Sequence, residues 1–118
     1  MQAADGHLLT RNLLEVFNER DAGRRARAIA AIHASEVTFY EPGGVTRGHE
    51  ALGARVQALL DPAPGFVFRA ASEPARNHDL ERLSWQFGSE GADPVVTGTD
   101  IALVSNGRIV ALYTFLDG

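Results

Sequence analysis

Asn106-Gly107 separates two runs rich in apolar and β-branched residues, Val95–Ser105 and Arg108–Leu116. A two-residue loop of this composition takes positive φ at both central positions and follows the twist of the strands that it joins. The two runs are therefore expected to be antiparallel neighbours. The same period of two extends back along the chain. In Leu80–Gly88, Leu83, Trp85 and Phe87 share one face, while Arg82, Ser84 and Gln86 share the other. Asn77-His78-Asp79 reads as a tight turn. Phe66–Arg76 reads as a strand whose Pro74 suggests an edge or a bulge.

The first half of the chain has helical spacing instead. Leu9, Leu13, Val16 and Phe17 mark one face of a helix within residues 7–20, with Leu8 and Leu14 widening the stripe. Asp21-Ala22-Gly23 interrupts it, and a second helix is expected over Arg24–His33, with Ala28, Ile29 and Ile32 inward. Arg20, Arg24, Arg25 and Arg27 are either an anion site or a solvated face, and the second is favoured because Glu15, Glu19 and Asp21 accompany them. A third helix, His49–Leu60, is stopped by Asp61-Pro62-Ala63-Pro64-Gly65. Between the second and third helices lies a strand, Val37–Glu41, broken by Pro42-Gly43-Gly44. Its alternation puts Val37, Phe39 and Glu41 on one face and Thr38 and Tyr40 on the other. Helices followed by strands imply an α+β fold, a single domain over residues 1–118. Its form is a cone: three N-terminal helices packed on a strongly curved, mostly antiparallel sheet. The closed end is filled by aromatics, and the open end is a pocket.

Composition narrows the chemistry. A net charge of −4 argues against nucleic acid as a partner. No apolar run is long enough to span a membrane, and no charged-then-apolar leader opens the chain, so the cytoplasm is the expected compartment. Cysteine is absent, which removes thiolate nucleophiles and thiolate metal ligands. All 11 basic residues are arginine, so no lysine is present to form a Schiff base. No two histidines are spaced as metal ligands on one element, and no glycine-rich loop forms a phosphate cradle. Neither a metal nor another cofactor is expected. The acid–base inventory is Asp, Glu, His and Tyr.

Asp100 lies inside a strand, where a carboxylate is either desolvated toward the cone or turned outward to pair with an arginine such as Arg82. Glu41 ends the first strand, either as a group facing the pocket or as a rim carboxylate bonded to the Gly43-Gly44 turn. Trp85 is a candidate pocket wall with an indole donor. Phe17, Phe39 and Phe68 are candidate walls, as are Phe66 and Phe115. Tyr113 shares parity with Ile109 and Phe115 and is a candidate cavity hydroxyl. His49 opens the third helix near Arg47 and is a candidate for the pocket mouth. Tyr40 reads as a packing or interface residue, and His33 as a helix-end residue explained by the dipole.

The succession FNERDAG, VTFYEPGG, RGHEAL and TGTDIALVSNGRIVALYTFLD resembles the NTF2-like superfamily, in particular its SnoaL-like, polyketide-cyclase-type domains. The resemblance covers nearly the whole chain and implies a cone-shaped barrel, often homodimeric through the outer sheet face. Tyr40, Ile101, Leu103 and Leu112 would supply an apolar stripe there. A more distant similarity is to ketosteroid isomerase. Glu41, before Pro42, matches the position of that enzyme's base, and Asp100 matches its protonated aspartate on the penultimate strand. The isomerase's oxyanion tyrosine corresponds to Leu13, which has no hydroxyl. Two functions follow from the resemblance. One is a cofactor-free isomerase, cyclase or dehydratase that moves protons on a small apolar molecule through Asp100 and Glu41. The other is a non-catalytic binding or interaction module on the same fold.

Overall fold

The structure, a computed structural model, describes residues 7–117. α1 (Leu8–Arg11) continues without interruption as a π-helical segment, Asn12–Phe17, and is followed by α2 (Ala22–Ile32). Then come β1 (His33–Glu41), β2 (Gly44–Arg47), α3 (His49–Leu60), β3 (Phe66–Ala70), β4 (Ala75–Asn77), β5 (Leu80–Ser89), β6 (Val96–Ser105) and β7 (Arg108–Leu116). The strands form one sheet in the order β2-β1-β7-β6-β5-β3, with β4 also on β5. Every pairing is antiparallel except β1 with β7. The sheet curls around the helices but does not close, because β2 and β3 remain as edges. The α+β cone expected from the sequence is therefore an open one rather than a barrel. Among the described residues, no helix is long and apolar enough to cross a membrane.

Local chemistry sets the element ends. Asp21 caps α2 by accepting from the Arg24 backbone N–H at 2.8 Å. Arg25 lies one turn before Ile29 on the inner stripe and is only 2% exposed. It is therefore not part of a solvated face: it donates to the Glu19 carbonyl at 2.6 Å and to Gln57 Oε1. Arg20 donates to the carbonyls of Leu60, Ala63 and Phe66, holding the turn after α3. The expected strand Phe66–Arg76 is two strands, β3 and β4, both paired with β5.

α1 is pinned at both ends to the sheet that it crosses. The Leu9 N–H donates to Glu81 Oε1 at 2.9 Å, so a buried carboxylate on β5 caps the helix. Arg76 supplies the compensating charge at 3.3 Å. After the helix, Asn18 pairs with Phe68 through its side-chain amide in both directions, at 2.9 and 2.7 Å. Between these anchors the wider π turns close an i→i+5 bond from Asn18 N–H to Leu13 carbonyl at 3.1 Å. Leu13 and Phe17 are buried on the inner side of that segment.

β7 departs from simple alternation. Val104 pairs with Ile109 and Leu103 with Ala111, leaving Val110 as an extra residue on β7. Ile109 faces inward before this bulge, and Leu112 is fully buried after it. Leu112 thus belongs to the core and not to the outer stripe. The outer face carries Tyr40 stacked on Tyr113, with ring centroids 4.4 Å apart, and Ile101 paired with Tyr113.

His33 is the C-cap of α2 and the first residue of β1, and it is completely buried. Its Nε2 lies 2.7 Å from Asn12 Oδ1, and its Nδ1 has no partner among the described residues. Protonation would add a buried donor with no acceptor. Burial, aided by the nearby His49, accordingly lowers its pKa from the ordinary 6.5 to about 4. The folded protein binds this proton less readily than the unfolded chain, so the contribution is full above pH 6.5 and is lost as pH falls toward about 4. Relative to His33→Gln, which leaves nothing to titrate there, the protein should lose on the order of 3 kcal/mol across that window. Urea unfolding at several pH values measures it.

Candidate active site

The open end of the cone holds a cavity of ≈260 Å³, at the end of the sheet where β1, β5 and β7 finish and β6 begins. Leu13 and Phe17 of the π-helical segment form its floor, and Phe39, Phe68, Trp85 and Phe87 supply aromatic walls from the sheet. Phe17 meets both Phe39 and Phe68 edge-on at 5.8 Å, and Phe68 meets Trp85 edge-on at 5.3 Å. Among the described residues, the polar groups on this lining besides the Trp85 indole are few: Asp100 and Thr114 inside, and Glu41 and Arg55.

Asp100 faces inward from the middle of β6 and is 5% exposed. Its neighbour across the pairing with β7 is Thr114, whose hydroxyl donates to Oδ1 at 2.8 Å. The indole Nε1–H of Trp85, on the opposite neighbour β5, donates to the same oxygen at 2.9 Å. Neither bond reaches Oδ2. Desolvation raises the Asp100 pKa from 3.8 to about 6, outweighing the two hydrogen bonds, which favour the ionised form. The outward alternative, pairing with Arg82, does not occur. Arg82 is exposed on the other face of β5, opposite Ile101.

Glu41 also borders the cavity, but it is not a lone carboxylate. Arg55 grips it with both arms of the fork, Nε to Oε2 at 2.5 Å and Nη2 to Oε1 at 3.0 Å. The Arg55 guanidinium pKa is raised further by this bond. Arg55 could have been found in the sequence. It stands three residues after Leu52 and four before Leu59, both on the inner side of α3. Thr114 was hidden by the bulge at Val110.

The bulge also corrects Tyr113. With one extra residue after Ile109, inward parity passes to Leu112, Thr114 and Leu116. Tyr113 turns outward with 41% exposure, and Phe115 follows it at 59%. Phe66 packs edge-on against Phe87 but does not line the cavity. His49 does not reach the cavity either. Gly48, at φ 88°, turns the chain into α3, and the His49 ring folds back toward the start of β1. There its Nε2 lies 2.9 Å from the carbonyls of both His33 and Ala34. It borders a shallow groove of ≈610 Å³ between α2 and α3, which contains neither Asp100 nor Glu41. Phe17, Phe39, Phe68 and Trp85 line the cavity. Among the described residues, no group of three or more His, Asp or Glu side chains is arranged to hold a metal ion.

One backbone position controls the orientation of Trp85. Gly98 is its cross-strand partner, and a Cβ at residue 98 would lie 2.5 Å from Trp85 Cζ2 and 2.5 Å from the Phe115 carbonyl oxygen. The indole can lie across β6 and reach Asp100, two residues on, because no side chain stands there. Gly98→Ala should displace the ring and destabilise the fold by about 1–3 kcal/mol. Trp85 is the single tryptophan, so a shift in its emission, measured alongside urea unfolding, reports the displacement directly.

The SnoaL-like domain family matches residues 10–112. No functionally curated protein matches the sequence. Among solved structures, a candidate isomerase of the SnoaL-like family from Agrobacterium tumefaciens superposes with a TM-score of 0.87 at 28% identity, covering 94% of this chain and 95% of that one. A candidate polyketide cyclase from Sinorhizobium meliloti follows at TM-score 0.72 and 16% identity, covering 92% and 93%. A candidate ketosteroid isomerase from Kribbella flavida superposes at TM-score 0.71 and 16% identity, covering 94% of this chain and 76% of that one. At such identities the latter two establish a shared fold and no more. With the family match spanning most of its length and its α+β cone shared with these structures, the chain belongs to the SnoaL-like domain family.

Proposed function

We propose that this protein is a cofactor-independent acid–base catalyst that removes and returns a proton beside a carbonyl group of a small, largely apolar molecule. The observation that carries the reading is Asp100: a carboxylate desolvated among aromatic walls, with both protein hydrogen bonds on Oδ1. Oδ2 is then the proton-transfer atom. A pKa of about 6 leaves the group mostly ionised at neutral pH yet more basic than an ordinary carboxylate. Isomerisation, cyclisation and dehydration share this step, and the description of the Agrobacterium relative as a candidate isomerase agrees with it. Glu41 is reassigned. Its bidentate bond to Arg55 makes it an anchor for that cation rather than a second base.

A non-catalytic binding module is the competing reading, favoured by Leu13, which lines the floor where the isomerases place a hydroxyl. Deuterium wash-in separates the two. A simple enolisable ketone incubated with the protein in D2O should exchange its α-protons, and Asp100→Asn should slow exchange by roughly 10²–10⁴-fold. Binding without exchange by the unaltered protein would support the module.

Asp100 also leaves a stability signature. Its folded pKa is raised, so its contribution is favourable below pH 3.8 and is lost as pH rises through about 6. Asp100→Asn, which keeps an acceptor for Trp85 and Thr114, should therefore stabilise the fold above pH 6 by on the order of 3 kcal/mol relative to its effect near pH 4. The emission of Trp85 should titrate with a midpoint near 6 and lose that transition in the variant.

We further propose that two copies pair through the outer sheet face, where stacked Tyr40 and Tyr113 lie beside Ile101 and exposed Phe115. Light scattering should give the mass of a dimer for the native chain and of a monomer for Tyr113→Glu.

A further inference from the structure

We propose that Arg55 is the oxyanion-binding group of this site and that the substrate is a neutral carbonyl compound smaller than a steroid. The inference rests on the proton-transfer reading above and extends it to the other end of the reaction.

Proton removal beside a carbonyl leaves negative charge on the carbonyl oxygen. Without a donor for that charge, the step is slower by about two to three orders of magnitude. The cavity's other donors are already committed. Trp85 Nε1–H and the Thr114 hydroxyl both bond to Asp100 Oδ1. Among the described residues on the lining, the remaining side-chain donor is Arg55. Its Nε and Nη2 hold Glu41, and Nη1 takes part in neither bond. Glu41 fixes the plane of the guanidinium and leaves the far nitrogen to meet a ligand. This is how a site can lack a hydroxyl at Leu13 and still contain an oxyanion donor.

The balance of charge selects the substrate. Among the described residues, the lining holds one cation and two carboxylates, Arg55 against Glu41 and Asp100. A carboxylate or phosphate ligand would meet net repulsion once Asp100 is ionised. A neutral ketone does not, and it becomes anionic only as Asp100 becomes neutral. The step balances: the C–H proton passes to Asp100 Oδ2, and the C–H electron pair becomes a C=C bond. The carbonyl π pair moves to oxygen, which accepts hydrogen bonds from Arg55 Nη1. Where a C=C lies β,γ to the carbonyl, the enolate is a dienolate, and return of the proton to the γ-carbon moves that bond into conjugation, restores the carbonyl and completes an isomerisation. The size limit follows from the ≈260 Å³ cavity, which lies below the roughly 300–1,000 Å³ of sites for drug-sized ligands. A monocyclic or short-chain ketone is the class that fits.

The test uses 4-nitrophenol, whose phenolate mimics an enolate and is read by its visible absorbance. Asp100→Asn supplies the neutral partner that Asp100 becomes in the enolate complex. In that background the bound phenol should ionise at least about one pH unit below its value in solution, a tenfold preference for phenolate over phenol. The preference should persist in D100N/E41Q, where Arg55 remains. It should vanish in D100N/E41Q/R55M, which also removes the cation and leaves no lone carboxylate to disturb folding. Equal phenolate affinity in the last two variants overturns the role of Arg55 while leaving the Asp100 reading intact. Phenolate affinity that does not rise from the native chain to Asp100→Asn overturns the Asp100 reading, and this inference with it.

Discussion

Val110 stands unpaired between Ile109, opposite Val104, and Ala111, opposite Leu103. This single extra residue decides what the last strand offers to each side of the sheet. Before it, Ile109 fills the closed end of the cone; after it, Leu112, Thr114 and Leu116 turn inward. Without the bulge, Tyr113 and Phe115 would face the cavity and Thr114 would face outward, because side chains in a strand alternate with a period of two. Asp100 would lose its hydroxyl donor. The outer face would lose the ring that stacks on Tyr40. The inward hydroxyl of Thr114 and the outward rings of Tyr113 and Phe115 are thus two consequences of one irregularity.

The cavity itself depends on what stops the helices from filling it. α1 is held at a fixed height above the sheet by Glu81 at its start and by Asn18 after its end. The π turns between those anchors lay Leu13 and Phe17 across the floor. α3 contributes Leu59 and the Arg55–Glu41 fork, which spans from helix to strand end. At the opposite end, Ile29, Ile32, Leu52 and Ile109 are packed without exposure above 1%. One end is packed core and the other holds the cavity, and the sheet's curl joins them. A desolvated carboxylate set in such a wall works against folding at neutral pH.

Much of the fold was legible because its signals are local. Asn106-Gly107 identified the β6–β7 hairpin, and the boundaries of α3 and β7 follow from the proline-rich stop and the turn that precede or follow them. The two carboxylates were singled out by position, Glu41 by its parity with Val37 and Phe39 and Asp100 by its place in the strand and by the family resemblance, but the direction in which Asp100 points came only from the fold. His33, Arg25 and Glu81 were harder. Each is a polar residue on a buried stripe, and a sequence shows the polarity but not the distant partner that makes burial tolerable.

The sequence by itself determined the element types, the order of helices and strands, the absence of cysteine and lysine chemistry, and two acids at strand positions, with the side to which Asp100 points left open. These depend on turn residues, periodicity and composition, which act over a few residues. The tertiary structure decided what those acids are. Glu41 is neutralised by an arginine 14 residues away, and Asp100 is held by groups on both neighbouring strands, 15 and 14 residues away. Register across a sheet and the reach of a side chain from another element are set by how the whole chain packs. The feature that turned the sheet face over, a bulge, has no residue signature in Ile109-Val110-Ala111. It exists because Val104 and Leu103 on the next strand pair around it.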